Sequence, residues 1–535
     1  MARRRDDPTL LPEDTPEEVR ESLTDAGRTP EFDPTLGLAV PRPVDGSSRP
    51  VPPHRLVALG DSLTHGFQSG AVFATDLSWP AVVAHELGWR DGYRYPRYPG
   101  FGGLPFNLEL LLRELEERYG AELSVWEMPG ALFRARQWAD RLEDHWERGA
   151  GARAPLVAAY SHALAMYGWD LRDVLSKTAQ TCQQALAEPK DDLLAQVVEN
   201  HAERAALRVY PGWDESVRRQ TLLDAARALG DEGGEGEGIE TLVVFLGANN
   251  CLGSVTRLRV AWSGPDFADL VGKTAYTVWR PEHFRAEYAE LVESVAAIRA
   301  RHVIWCTVPH VTIAPIARGL GAKVRPGSRY FPYYARPWVA ASAFNPRHDP
   351  HLTAGQARAV DAAVDLYNTD IEEHVRRGRQ AGRDWYLLDV AGLLDRLAAR
   401  RYIDDPNARP AWWTPYPLPP ELAALRPVPD SRFLTGDGRG GRATGGLFSL
   451  DGVHPTTVCY GLIAQEVLNV MRLAGVEFRS AAGAPRTGPV NVDMSRLLLR
   501  DTLVRFPPQL VDDSLDVLAW ADEALDWVRR ALCMS

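Results

Sequence analysis

The chain has 535 residues, 45% of them hydrophobic and 24% charged, which is ordinary globular composition. A formal net charge of −11 argues against a nucleic-acid partner, which ordinarily demands a basic face. The five cysteines (Cys182, Cys251, Cys306, Cys459 and Cys533) are odd in number and lack metal-ligand spacing, so a disulfide scaffold is excluded and a reducing compartment fits.

The chain starts with a basic run, Met1 to Arg5, but no apolar segment follows it. No stretch approaches the roughly 20 apolar residues of a membrane span, so the expectation is a cytoplasmic protein without stable membrane insertion. Export by a route that needs no classical signal stays open. Residues 1–53 are rich in Pro, Asp, Glu and Arg and read as an extended or disordered tail. Within them Thr15 and Pro16 mark the start of a short helix.

The first strand is expected at 55–59, where Leu56-Val57-Ala58-Leu59 runs into Gly60-Asp61-Ser62-Leu63. A continuous apolar run suits a buried parallel strand, and open α/β sheets bind ligands beyond the carboxyl ends of such strands. Ser62 then stands where a nucleophile is useful, although a turn serine or helix cap is the commoner use of this pattern. Helices follow at 80–88, opened by Pro80 after Ser78, and at 108–119, capped by Asn107. The irregular residues 89–106 are expected to form one wall of a pocket. A second strand is expected at 122–126, ending in Pro129-Gly130, where a backbone N–H meets a ligand without side-chain obstruction. A charged helix at 133–147 comes next.

Residues 149–238 show no strand signal and read as an inserted helical subdomain, with runs at 156–167, 171–187, 193–209 and 215–229 before an acidic, glycine-rich connector. The third strand, 241–246, ends in Gly247-Ala248-Asn249-Asn250, whose Asn249 amide is a suitable donor to a developing oxyanion. An Asn-Asn pair is also a good turn. Further elements are a helix at 281–300, a strand at 302–308, an amphipathic helix at 354–378 and a strand at 385–390. The aromatic loop 311–353 is a candidate substrate wall, with packing against the inserted helices as the alternative. Its His348 and His351 lack a third ligand, and no metal site is read there. The long Pro- and Gly-rich loop 403–445 leads into Asp451-Gly452-Val453-His454-Pro455 and is expected to border the pocket. A closing helix at 460–473 and a C-terminal extension with a helix at 514–532 complete the chain.

A serine hydrolase needs a base for the serine proton and a carboxylate to orient that base. Asp451 and His454 lie three apart in a loop, so both side chains can converge on one point. Asp389 also ends a strand and competes as the acid, but Asp451 is preferred because its loop carries acid and base together.

At these residues the sequence resembles the GDSL, or SGNH, hydrolases, a family named for a serine, a glycine, an asparagine and a histidine in separate blocks. The family serine matches Ser62, the second-block glycine Gly130, the third-block asparagine Asn249, and the last block Asp451 and His454. The blocks stand in family order. The third block usually reads Gly-x-Asn-Asp, and here Asn250 replaces the aspartate, which touches loop hydrogen bonding more than chemistry.

Strands alternating with helices predict an α/β fold: a three-layer αβα sandwich with a mainly parallel five-stranded sheet, spanning 54–475, with the helical insertion and two long loops. The SGNH, or flavodoxin-like, arrangement is what the resemblance implies, as is an ester hydrolase acting on a small-molecule, lipid or sugar ester. Ser62 then attacks, His454 shuttles the proton, Asp451 orients His454, and the Ser62 N–H, Gly130 N–H and Asn249 amide form the oxyanion hole. No cofactor is expected, because the glycine-rich turns lack phosphate-loop spacing. The alternatives are an acyltransferase or carbohydrate O-acetylesterase on the same residues, or a non-catalytic binding module that keeps the fold. No oligomeric state is read from the sequence.

Overall fold

A computed structural model describes residues 7–24, 27–39, 50–124, 126–155, 157, 159–186, 198–211, 215–480 and 483–510. The expected helix at 514–532 lies outside the described residues.

The centre is a five-stranded, all-parallel sheet: β1 (His54–Gly60), β2 (Ala163–Ala165), β3 (Ile239–Phe245), β4 (Ala300–Cys306) and β5 (Trp385–Leu388). In space the strands run β2-β1-β3-β4-β5. Every residue of β1 and β3 is buried, which accounts for their unbroken apolar runs. The order of strands reverses between β1 and β3, and a crevice opens beyond their carboxyl ends. Ser62 and Asn249 follow those two strands directly.

Helices cover both faces. The described ones that matter are α1 (Glu17–Ser22), α2 (Ser62–His65), α3 (Trp79–Glu86), α4 (Leu108–Tyr119), α5 (Met128–Glu143), α6 (Leu171–Ser176), α7 (Leu222–Asp231), α8 (Asn249–Thr256), α9 (Pro281–Ala296), α10 (Ala354–Gln380), α11 (Val390–Leu397) and α12 (Thr457–Leu473). α3 packs against α12 and β1, whereas α7, α9 and α10 accompany the crossovers that step the chain rightward from β2 to β5. Local signals explain several ends. Asn107 accepts from the Leu110 N–H at the start of α4, and Thr353 and Gln356 form a reciprocal capping box at the start of α10. Ser78 precedes α3 as expected, but its hydroxyl donates back to the Thr75 carbonyl and caps nothing.

The second strand is not where the sequence pointed. Leu123, Ser124 and Trp126 are outside the sheet, and Trp126 is 92% exposed. The strand lies at Ala163–Ala165, inside a stretch expected to be helical. Its Ala-Leu-Ala sequence carries no β-branched or aromatic residue, so local propensity favours helix, and pairing with the buried β1 overrides it. The region 149–238 is therefore not wholly helical: it contributes an edge strand, and the helix expected at 171–187 is broken into Leu171–Ser176 and Ala179–Ala185.

The described part of the N-terminal segment wraps the sheet edge. The Leu387 N–H of β5 donates to the Pro34 carbonyl, and the Gly355 N–H donates to the Pro8 carbonyl. Gly355 is glycine by necessity, because a Cβ there would stand 1.8 Å from the Leu10 carbonyl oxygen. Among the described residues no helix is long and apolar enough to cross a membrane.

Candidate active site

β1 delivers Ser62 on a sharp turn. Asp61 caps α2 by accepting from the Leu63 N–H at 3.0 Å, and Gly66 closes the helix with φ +82°. Asp61 is fully buried, and burial pushes its carboxyl up to about 7 against the Leu63 N–H and the nearby His454. Behind the turn, the His65 imidazole meets the Tyr98 hydroxyl at 2.7 Å, and burial drives its pKa down to about 3. Tyr98 thus buttresses the turn from the 89–106 loop, which does not line the cavity at Ser62.

The loop before α12 carries His454 and Asp451. His454 Nε2 lies 2.9 Å from Ser62 Oγ, and His454 Nδ1 lies 3.0 Å from Asp451 Oδ2. The Gly70 N–H also donates to Asp451 Oδ2 at 2.9 Å, and Oδ1 accepts from the Val453 and His454 N–H groups and the Ser449 hydroxyl. Burial alone raises this carboxyl. His454 and the backbone donors outweigh that and hold it below the ordinary carboxylate range. With Asp451 an obligate acceptor, the proton sits on His454 Nδ1, which leaves Nε2 free to accept from Ser62. The Phe67 ring, 4.5 Å centroid to centroid, packs on the imidazole and limits its rotation.

Asp389, the competing acid, is elsewhere. It caps α11, accepts from the Thr307 hydroxyl at 2.9 Å and pairs with Arg28 at 2.7 Å.

Asn249 opens α8 beside Ser62 in a shared cavity, with its Nδ2 donating to the Trp169 carbonyl at 2.8 Å. Gly247 makes the turn possible at φ +117°, where a Cβ would crowd Val308 and Phe284. Asn250, in place of the usual aspartate, is buried and accepts from the Leu171 N–H, tying this turn to the loop after β2.

Gly130 is not part of the site. It lies in α5, where the nearest foreign atom to its Cβ position is the Tyr119 hydroxyl. A glycine that does line the cavity with Ser62 and Asn249, and that follows a strand of the sheet, is Gly168, three residues beyond β2 at φ +75°. The expectation failed with the misplaced strand. The signal that finds Gly168 is Met166-Tyr167-Gly168-Trp169, a short apolar run ending in glycine, once Ala163–Ala165 is read as a strand.

Two unlike spaces meet at Ser62 and His454. One is a polar cavity of about 630 Å³ walled by Gly168, Trp169, His201, Asn249, Lys273 and Tyr276. In it the Lys273 ammonium bridges Asp170 and Asp173 at 2.6 and 2.8 Å. The other is a narrow slot of about 90 Å³ whose wall is nearly all apolar, including Leu63, Val311, Leu393, Phe448, Val453 and Ile463. The aromatic residues of the 311–353 loop do not reach either space; Phe331 and Tyr334 line a separate cavity. The 403–445 loop likewise stands behind the Asp451 turn, with Phe433 packed over Gly452 and Trp413 donating to the Asp395 carbonyl.

No protein-family model matches this chain, and comparison with curated proteins finds no relative.

Proposed function

We propose that this chain is a serine ester hydrolase of the GDSL/SGNH type. The observation that carries the proposal is the relay Ser62 Oγ, His454 Nε2, His454 Nδ1, Asp451 Oδ2, with contacts of 2.9 and 3.0 Å. Ser62 Oγ attacks the ester carbonyl while its proton passes to His454 Nε2. The tetrahedral oxyanion is met by the Ser62 and Gly168 N–H groups and by Asn249 Nδ2. Collapse expels the alcohol, which takes the proton from His454, and leaves an acyl-Ser62. Water then repeats the sequence and releases the acid.

The two spaces divide the substrate. The apolar slot suits a short acyl chain, and the larger polar cavity suits a hydroxyl-rich alcohol. The same polar cavity favours, as a second reading, an acceptor alcohol replacing water, which makes the reaction acyl transfer.

The test is hydrolysis of p-nitrophenyl esters from acetyl to palmitoyl by wild type and Ser62→Ala, with organophosphonate labelling of both. Turnover and labelling that vanish in Ser62→Ala support the hydrolase. Absence of turnover and labelling in wild type returns the chain to a binding role. Labelling without hydrolysis directs the search to acyl transfer.

A further inference from the structure

Behind the Asp451 turn lies a second cavity of about 360 Å³, whose wall includes Arg318, Arg400 and Arg432 together with Phe331, Tyr334 and Phe433. Beside it lies a buried charge cluster, of which Arg329 and Arg401 reach the cavity wall. His310 is bridged by Asp365 and Asp395, both at 3.0 Å; Arg401 pairs with Asp361 at 2.9 Å and Arg28 with Asp389 at 2.7 Å. Arg329 adds one positive charge near Asp361 and Asp365. Each of these cations thus already faces at least one carboxylate, and Arg28 also meets Glu372 at 3.3 Å.

Arg318, Arg400 and Arg432 are the other arginines of the wall, which also carries one carboxylate, Asp404. Arg432 is held by Asp404 at 2.6 Å and by Asp430. Arg318 donates to the Val339 carbonyl, and its Nε is buried without a hydrogen-bond partner. Arg400 lies over the Phe331 ring at 4.8 Å. Among the described residues neither Arg318 nor Arg400 has a carboxylate within ion-pair distance. Burial lowers the pKa of both guanidiniums, and for Arg400 the neighbouring Arg318 and Arg432 add to that effect against Tyr334 and Asp404.

From two half-buried guanidiniums that pair with no carboxylate and share a cavity with aromatic rings, we infer a second ligand site that takes a small phosphate monoester with a planar or apolar body. A monoester carries about −1.5 to −2 charge at neutral pH, which matches two arginines where a carboxylate leaves one unmatched. The guanidinium forks suit phosphate oxygens, and the rings suit the organic part. The site is separate from Ser62 but shares a partition with it. Thr312, Ile313 and Pro315 face this cavity, whereas Val311 and Ala314 of the same loop face the apolar slot.

The experiment is isothermal titration of the full chain with phenyl phosphate at fixed ionic strength, with benzoate and inorganic phosphate as comparison arms. Phenyl phosphate binds saturably to wild type and equally to Ser62→Ala. It is displaced by inorganic phosphate and weakened roughly 10- to 100-fold in Arg318→Gln and Arg400→Gln. Absence of saturable binding to wild type, loss of binding in Ser62→Ala, or unchanged binding in both glutamine variants overturns the inference. Benzoate binding as tightly as phenyl phosphate overturns the choice of a dianion, and failure of inorganic phosphate to compete shows that the ring alone is bound. Should a glutamine variant fail to fold, Arg400→Lys keeps the charge and the stem while losing the fork, and a several-fold weakening is expected there too.

Discussion

Substituting Asp451→Asn removes one charge and almost no volume, and the surroundings of Asp451 make the outcome calculable. Every group around the carboxylate is a donor: His454 Nδ1 and the Gly70 N–H at Oδ2, and the Val453 N–H, His454 N–H and Ser449 hydroxyl at Oδ1. An asparagine amide must direct its NH₂ at one of these sets. Facing His454, it forces Nδ1 to become the acceptor, moves the proton to Nε2 and leaves Ser62 without a base. Facing the loop, it sets N–H against N–H at full burial. The first arrangement loses about 10⁴ in kcat, the scale seen when a triad base is held in the wrong tautomer. Either arrangement costs about 2–4 kcal/mol of stability through lost charge-assisted hydrogen bonds. The assay pairs p-nitrophenyl acetate kinetics with urea unfolding, and Asp389→Asn serves as a comparison that lowers stability through Arg28 while keeping its catalytic geometry. Asp451→Asn activity within tenfold of wild type, or a deeper catalytic loss in Asp389→Asn than in Asp451→Asn, refutes the assignment of Asp451.

Asn249→Ala lowers kcat by about 10²–10³ with little change in KM, measured on the same ester, because its amide is needed only as the oxyanion develops. Gly168→Ala strains a residue at φ +75° and costs roughly 1–2 kcal/mol and most of the activity, whereas Gly130→Ala, on a helix remote from the cavity, leaves kcat/KM unchanged. His310 gives a pH signature. Although burial opposes it, Asp395 and Asp365 raise its pKa to about 10 from the ordinary 6.5. The folded state therefore keeps a proton that the unfolded chain releases between those values, so this contribution is complete below pH 6.5 and is lost as pH rises toward 10. Urea unfolding from pH 6 to 10 should show wild type losing a few kcal/mol more than His310→Gln across that window; parallel pH profiles would remove His310 from the account.

Two of the parts legible in sequence, Ser62 and Asn249, follow strands that end in a continuous apolar run. β1 and β3 announce themselves by seven buried residues apiece, so Ser62 and Asn249 are located by where those runs end. Asp451 and His454 were legible because acid and base share one short loop. Gly168 was hidden because its strand is three residues of Ala-Leu-Ala, held by pairing with β1 rather than by propensity. The arginine-walled cavity was illegible for a different reason. Arg318, Arg400 and Arg432 come from three segments that only the folded chain brings together, and no local spacing relates them. The N-terminal segment reads as a polar tail in isolation; its Pro34 carbonyl gains meaning only from the open edge of β5.

Ser62 and His454 are 392 residues apart in the chain. Between them lie the other four strands of the sheet, and Ser62 follows the first. During synthesis the serine emerges early and meets His454 only after the Asp451 loop has been made and α12 has docked against α3. Under the proposed function, ester cleavage would therefore report completion of the whole sheet rather than of any half of it. A refolding experiment that follows turnover beside tryptophan fluorescence reads the last long-range closure separately from the collapse that precedes it.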